Sequence, residues 1–217
     1  MTEEEIITAT IQFVKEKLAN AEGGHDWWHI ERVYNNALAI ATSEKADVLI
    51  VSLAALLHDI ADSKFNDGNE EIGPEIATKF LQSLQVDHLI INHVENIIRN
   101  ISFKGGNFTK TFTSTELAVV QDADRLDAIG AIGIARAFNY GGFKNREIYN
   151  PNIAPDMHMT KDVYKNSSAP TINHFYEKLL LLKNKMNTAA GKAMAEERHQ
   201  FMEVFLQQFY EEWAGKK

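Results

Sequence analysis

The most constraining feature of the sequence is a ten-residue apolar run, VLIVSLAALL at residues 48–57, which is followed directly by His58 and Asp59. The run is too short to cross a membrane, which takes about 18 apolar residues or more. We therefore predict a buried helix, from about Asp47 to Asp62, in an all-α core. A buried carboxylate without a partner would be destabilising, so the His-Asp pair predicts either a divalent cation or a simple helix-end hydrogen bond beside a core histidine.

Helical periodicity dominates the rest of the chain as well, and Thr2 with Glu5 predicts a capping box at the first helix. Periodicity is lost only from Asn139 to Pro170, where we expect a long irregular excursion, with a short hairpin as one option and a lid or dimer contact as its role. The predicted helices cover about residues 2–20, 26–40, 47–62, 69–84, 87–99, 115–138 (one long or broken helix), 171–185 and 188–213.

Composition limits the classes of protein and partner. With 217 residues, 45% of them hydrophobic, we expect a single domain over residues 1–217. The net charge of -8 argues against a nucleic-acid partner. Cysteine is absent, so any metal must be held by nitrogen and oxygen. The sequence MTEEE does not resemble a signal peptide, and we expect a cytoplasmic protein with no membrane partner.

Further candidate ligands flank the His-Asp pair. His25 and His29 lie one helical turn apart in GGHDWWHIERV, and Asp124 and Asp127 lie on one helix face in QDADRLDAIG. Capping by His25 and Asp26, or a solvated Asp122, would explain some of these residues without a metal. A zinc-protease interpretation of the two histidines is disfavoured, because Asp26 is shorter than the usual glutamate base and no third ligand signature follows.

These motifs together resemble the HD superfamily of metal-dependent phosphohydrolases, with HIERV, LLHDIAD and DADRLDA matching its three ligand segments. The likeness spans residues 25–130. RNISFKGG at 99–106 and the segment 186–213 extend it to a bacterial subgroup that resembles nucleotide pyrophosphohydrolases. The resemblance implies an all-helical HD-type domain with a metal-binding core at about 25–130 and a C-terminal helical pair at about 171–213.

The resemblance also implies one divalent ion (Mn, Mg, Co, Ni, Fe or Zn) held by His29, His58, Asp59 and Asp124. It leaves His25 at the rim of the pocket, where it would contact substrate. Related enzymes with two metals use extra histidines in the interval that holds His88 and His93. On one helix these two would point about 140° apart, so a single ion is favoured.

The chemistry expected at such a centre is hydrolysis of a phosphoester or phosphoanhydride, because the cation can activate water and neutralise charge on phosphate. Asp62, four residues after His58 on the predicted helix, is the first candidate for general base, and Asp127 is the second. An alternative role for Asp62 is to orient His58. The cations predicted to bind phosphate are Arg32, Lys64 and Lys104.

The predicted function is therefore hydrolysis of a nucleotide or another small phosphorylated metabolite, and the alternative is a non-catalytic metal or nucleotide sensor on the same scaffold. The excursion and its borders carry aromatic residues that would stack on a base and two cations, Lys144 and Arg146, either of which would reach phosphate. The alternative is that the aromatic residues pack locally or form the interface of a homodimer. The aromatic residues and the two cations are Phe138, Tyr140, Phe143, Lys144, Arg146, Tyr149 and Tyr164.

Overall fold

The computed structural model describes residues 1–19, 26–61, 69, 71–101, 112–158 and 168–217. Within these ranges all regular structure is helical and there is no strand, which confirms the all-α prediction. The same residues contain no helix with the length and apolar character that a membrane crossing requires. The helices are α1 (Glu3–Lys17), α2 (Trp27–Glu44), α3 (Val48–Leu57), α4 (Ile72–Ser83), α5 (His88–Ile101), α6 (Thr115–Asp127), α7 (Gly130–Phe143), α8 (Thr171–Glu177), a 3₁₀ helix (Leu179–Lys185) and α9 (Ala189–Trp213).

The residues group into two compact units, 1–124 and 125–217. In the N-terminal unit, α3 is the central helix and contacts α1, α2 and α5, while α4 packs on α5. Every residue of α3 after Val48 is buried. The prediction of a single domain over the whole chain stays a prediction.

In the N-terminal unit, α1 and α3 each begin directly after a residue whose side chain caps the helix. The Thr2 hydroxyl accepts a hydrogen bond from the Glu5 N–H at 3.2 Å, and the Glu5 carboxylate accepts from the Thr2 N–H at 2.8 Å, which confirms the capping box. Asp47 caps α3 by accepting from the Ile50 N–H at 3.0 Å. Such caps satisfy N–H groups that a helix start leaves without partners.

The predicted end of α3 was wrong, because the helix stops at Leu57 and not at Asp62. The His58 ring contacts the Ala55 carbonyl, with Nδ1 and the oxygen 2.8 Å apart. In a continuing helix that carbonyl would accept from the N–H of residue 59. The Ile60 N–H instead bonds to the Leu57 carbonyl, so the chain turns at the His-Asp pair.

In the C-terminal unit, α7 contacts α8 and α9, and the 3₁₀ helix contacts both α8 and α9. A network of aromatic rings surrounds the buried Phe175, with centroids 5.0–6.2 Å apart. The helix predicted over 115–138 is broken between α6 and α7, at Gly130 with φ of 73°. Because α7 continues to Phe143, the irregular segment starts five residues later than predicted, and its described parts, 144–158 and 168–170, contain no hairpin strands.

Candidate metal centre

His58 and Asp59 lie in the turn that follows α3, so the buried central helix of the N-terminal unit positions them. A carbonyl oxygen only accepts hydrogen bonds, hence the contact with Ala55 places the proton of the neutral His58 ring on Nδ1. This arrangement leaves Nε2 with a lone pair that can bind a cation. Nε2 is buried and has no hydrogen-bond partner within the described part of the chain.

His29 is the third residue of α2, and its backbone is fixed by the cap of that helix. The Asp26 carboxylate accepts a hydrogen bond from the His29 N–H at 3.0 Å. The His29 side chain is 2% exposed, and its ring meets the His58 ring edge-on, with centroids 5.3 Å apart. A buried imidazole of α2 therefore lies against a buried imidazole of the turn after α3.

Two carboxylates approach these rings. The His29 Nε2 lies 3.8 Å from Asp59 Oδ2 and 3.7 Å from Asp124 Oδ1, and the His58 Nε2 lies 4.0 Å from Asp59 Oδ2. The donor atoms of His29, His58 and Asp59 all lie within 4.8 Å of one another, and this is the one such group of three among the described residues. Asp124 adjoins the group through its contact with His29.

The last turns of α6 carry Asp124 and are tied to neighbouring helices. The Gln121 side-chain amide donates to the Asn100 and Ile101 carbonyls at the end of α5, at 2.9 and 3.3 Å. The Asn36 amide of α2 makes a longer contact, 3.5 Å, with the Ala123 carbonyl. Residues on α5 and α2 thus help to fix the segment from which Asp124 projects.

The four side chains fit a divalent cation. Three pairs of these side chains, His29 with Asp59, His29 with Asp124 and His58 with Asp59, lie 3.7–4.0 Å apart, which is too long for hydrogen bonds. These three separations are shorter than about 4.2 Å, the largest separation of two ligands that each lie about 2.1 Å from one ion. Imidazole with carboxylate suits Mn, Fe, Co, Ni or Zn. A cation would also give the buried His58 Nε2 the partner that it lacks among the described residues.

The four residues fall inside a recognisable family domain, since residues 27–129 match the HD domain family. A solved HD-superfamily hydrolase from Bacillus thuringiensis is 44% identical to the chain, with a TM-score of 0.79, and the likeness covers 98% of this chain and 99% of that one. The chain belongs to the HD superfamily of hydrolases. This confirms the superfamily resemblance, and the pyrophosphohydrolase subgroup stays a prediction.

Another relative of this HD protein is the uncharacterized protein YpgQ of Bacillus subtilis, which is 39% identical over 204 residues, or 94% of this chain and 91% of YpgQ. The crystal structure of YpgQ in complex with ADP has a TM-score of 0.76 to this chain, at 35% identity. That likeness covers 98% of this chain and 97% of the YpgQ chain.

The residues predicted to act on substrate in this HD protein are only partly described by the structure. Arg32 is half-buried in α2, one turn after His29. His25, Asp62, Lys64 and Lys104 lie outside the described residues. Asp62 was expected to share a helix face with His58 on a helix that continues past residue 58. Because α3 ends at Leu57, helical spacing no longer relates these two residues.

The two histidines considered for a second ion do not join the HD centre. His88 is highly exposed and lies 3.8 Å from the Asp87 carboxylate. His93 contacts the Ser114 hydroxyl at 2.9 Å and the Glu116 carboxylate at 3.3 Å. Burial acts to raise the pKa of Glu116, but hydrogen bonds from backbone N–H groups and Ser114, together with His93, outweigh it and lower that pKa. His93 therefore links α5 to the start of α6.

Asp127, the second candidate base, is 1% exposed and forms an ion pair with Arg136 of α7. No sequence motif marks Arg136 or Arg198, which both bind the end of α6. A lone arginine in a helix carries little signal in a single sequence, because most arginines are solvated.

The aromatic residues near the excursion divide between packing and exposure. Phe138 packs on Phe175 and Phe205, and Tyr149 packs on three rings of α9. Tyr140 and Phe143 are exposed, with the Lys144 ammonium above both rings. Tyr164 lies outside the described residues. These ring contacts support local packing, and not stacking on a base, as the role of Phe138 and Tyr149.

Proposed function

We propose that this HD protein is a divalent-cation-dependent phosphohydrolase that acts on a nucleotide or another small phosphorylated metabolite. The finer form of the proposal is a nucleoside triphosphate pyrophosphohydrolase. The observation that carries it is the convergence of His29, His58 and Asp59, with Asp124 beside them, around the buried His58 Nε2. The crystal structure of the relative YpgQ in complex with ADP supports a nucleotide as ligand.

Burial divides the proposed ligands into two kinds. The imidazoles are almost fully buried, whereas the side chains of Asp59 and Asp124 are 27% and 43% exposed. The histidines would therefore anchor the centre, and the side of the carboxylates is open to a soluble substrate. A divalent cation held there would supply Lewis acidity toward a water molecule and a phosphate oxygen. Arg32, one turn from His29, is the described residue proposed to bind phosphate.

Proton transfer requires a further residue, and Asp62 remains our candidate because it follows the His-Asp pair closely in sequence. Replacement Asp62→Asn removes a proton acceptor while the four proposed ligands stay intact. We expect the variant to bind metal as wild type does and to turn over more slowly. Loss of metal from this variant would instead indicate that Asp62 supports a ligand.

The proposal is tested on protein stripped with a chelator and reloaded separately with Mn, Mg, Co or Ni. Phosphate and pyrophosphate are quantified separately for a panel of nucleoside mono-, di- and triphosphates and simple aryl phosphates. We expect metal-dependent turnover that is faster with a nucleoside triphosphate than with the aryl esters. The isosteric variant Asp59→Asn is the control for contaminating hydrolases.

The products distinguish the remaining possibilities. Pyrophosphate with a nucleoside monophosphate would establish the pyrophosphohydrolase, whereas stepwise phosphate release would establish a phosphatase. Nucleotide binding without turnover under any of the metals would contradict the enzyme and favour the sensor. Turnover that persists in Asp59→Asn and in metal-free protein would contradict the proposed centre.

A further inference from the structure

The end of α6 is bound by two arginines from later helices. Arg198 of α9 donates through Nη1 to the Leu126 carbonyl at 2.6 Å. Arg136 of α7 donates through Nη1 to the Asp127 carbonyl at 3.2 Å and also to the Asp127 carboxylate. The last carbonyls of a helix have no partner within the helix and carry partial negative charge. Two guanidinium groups therefore cap this helix end, and we call Asp127, Arg136 and Arg198 the α6 clamp.

The carboxylate of the clamp is deeply buried, whereas Arg136 and Arg198 are half-buried. Asp127 is 1% exposed, so its carboxylate would be strongly destabilising without a cation nearby. Burial lowers the pKa of Arg198, and the charge of Asp127 acts in the opposite direction. Breaking one partner of such a buried pair leaves the other charge uncompensated, so the clamp holds its geometry strongly.

The backbone after α6 is shaped to admit the clamp. Gly130 has φ of 73°, a conformation that disfavours side chains, and a Cβ there would lie 3.0 Å from both Cβ and Cγ of Arg198. At Gly133 a Cβ would lie 2.3 Å from the Ala128 carbonyl oxygen. Glycine at these two positions lets the start of α7 and the Arg198 stem pack closely against the end of α6.

Asp124 lies three residues before Asp127 in the same helix, so one turn separates the proposed metal ligand from the clamp. A helix turn behaves as a rigid unit while both of its ends are hydrogen-bonded. If the last turn loosens, the direction in which Asp124 projects changes with it. The clamp residues bind the Leu126 and Asp127 carbonyls, which lie two and three residues after Asp124 in this turn.

We propose that Asp127, Arg136 and Arg198 are positioning residues that fix Asp124 and thereby set the cation affinity of the HD centre. This inference rests on the metal site of the proposed function and does not depend on its substrate. It gives Asp127 a role through α6, in place of proton transfer. Outer residues that orient a ligand typically contribute 10- to 100-fold to metal affinity.

The test measures Mn²⁺ affinity by titration calorimetry on the full chain, with the folded fraction of each variant checked by circular dichroism. Asp127→Asn keeps the size of the side chain and removes its charge, and we expect Mn²⁺ binding to weaken about 10- to 100-fold. Arg136→Lys keeps the positive charge but lacks the planar guanidinium that binds both the Asp127 carbonyl and its carboxylate, so we expect a smaller loss of Mn²⁺ affinity. The second variant also provides a result if Asp127→Asn fails to fold.

The matched control is Gly141→Ala, which is expected to destabilise the same unit without touching the clamp, because its Cβ would meet Thr171. We expect it to keep Mn²⁺ affinity within about twofold, even where its loss of unfolding free energy equals that of Asp127→Asn. Wild-type affinity in both clamp variants would overturn the inference, and so would equal weakening in Gly141→Ala.

The same titration separates this inference from the proposed function. A wild-type protein that binds Mn²⁺ and loses affinity in the clamp variants supports the inference, even if it hydrolyses no nucleotide or aryl phosphate. In that outcome the proposed function fails by itself. A wild-type protein that binds none of Mn, Mg, Co or Ni would overturn both.

Discussion

The two units treat their buried polar groups differently. In the N-terminal unit, ring nitrogens of His29 and His58 and the carboxylate of Asp59 approach one another at distances too long for hydrogen bonds. In the C-terminal unit, the buried carboxylate of Asp127 is bound directly by Arg136. Buried ring nitrogens and a carboxylate that converge at such distances indicate a place for a cation, whereas a carboxylate bound directly by an arginine indicates structural support.

The cores differ in a related way. The N-terminal unit is organised around the aliphatic helix α3, in which Leu53, Leu56 and Leu57 are fully buried. The C-terminal unit contains a network of rings in which Phe205 joins Phe138, Phe175 and Phe209. We infer that substitutions at the polar cluster of the first unit should affect function most, and that substitutions in the second should affect stability most.

The largest expected effect is at the polar cluster. His58→Ala or Asp59→Ala should remove bound metal and lower hydrolysis by at least about 100-fold, since loss of a ligand exceeds the usual effect of losing its outer partner. Because Asp59 is partly exposed, Asp59→Ala should change the unfolding free energy of metal-free protein by less than about 1 kcal/mol. Metal content, turnover and denaturant unfolding are measured on the same preparation. Full activity without metal would contradict the centre.

Part of this cluster could be predicted from sequence. The His-Asp pair directly follows a buried apolar run, and burying two ionisable groups is costly unless they have a partner such as a metal ion. The superfamily resemblance then selected His29 and Asp124 as ligands from the candidates His25, His29, Asp124 and Asp127. The turn at His58 could not be predicted, because it depends on a ring-to-carbonyl contact that competes with the helix. Arg136 and Arg198 were missed because their partner, the end of α6, becomes recognisable only in three dimensions.

The second expected effect concerns His174 in the C-terminal unit. Burial, reinforced by the charges of Lys178 and Arg146, lowers the pKa of His174 from 6.5 to about 4. As the pH falls below 6.5 the unfolded chain binds a proton before the folded chain does, so stability decreases down to about pH 4. The total loss from this group is about 3 kcal/mol at most.

Replacement His174→Gln should remove this contribution and flatten the fall of unfolding free energy between pH 6.5 and pH 4, relative to wild type. Denaturant unfolding at several pH values measures the difference. The replacement His88→Gln, at an exposed position of the N-terminal unit, controls for the substitution itself. Identical slopes in wild type and His174→Gln would contradict the prediction.

A third prediction contrasts two neighbouring glycines in α7. At Gly141 a Cβ would lie 2.1 Å from the Thr171 hydroxyl, whereas at Gly142 nothing lies within 4 Å. Gly141→Ala should therefore lower the free energy of unfolding by about 1–3 kcal/mol. Gly142→Ala should raise it by about 0.5–1 kcal/mol, because alanine favours a helix. Thermal and denaturant unfolding of both variants measure these changes. Equal changes in unfolding free energy for the two variants would mean that α7 and α8 are not in close contact.

The fold was more predictable than these contacts. Apolar periodicity and the Thr2–Glu5 pair located most helices, because helix formation depends on local sequence. The continuation of α7 to Phe143 was missed because Gly141-Gly142 indicates a loop in sequence. In the structure Gly141 is instead the point where α7 approaches Thr171, so a residue that appears to end a helix permits its packing.

The smallest expected effects are at two helix caps, one in each unit. The Thr188 hydroxyl is buried and accepts a hydrogen bond from the Gly191 N–H at 2.9 Å, while Thr2 caps α1 at an exposed position. Loss of a cap hydroxyl typically lowers stability by about 0.5–2 kcal/mol. Thr188→Ala should fall in the upper half of this range and Thr2→Ala in the lower half, because water can replace the lost partner only at the exposed end.

Thr188→Ser, which keeps a hydroxyl, should recover most of the unfolding free energy lost in Thr188→Ala, as measured by denaturant unfolding. A larger effect at Thr2 than at Thr188 would show that burial does not set the strength of these caps.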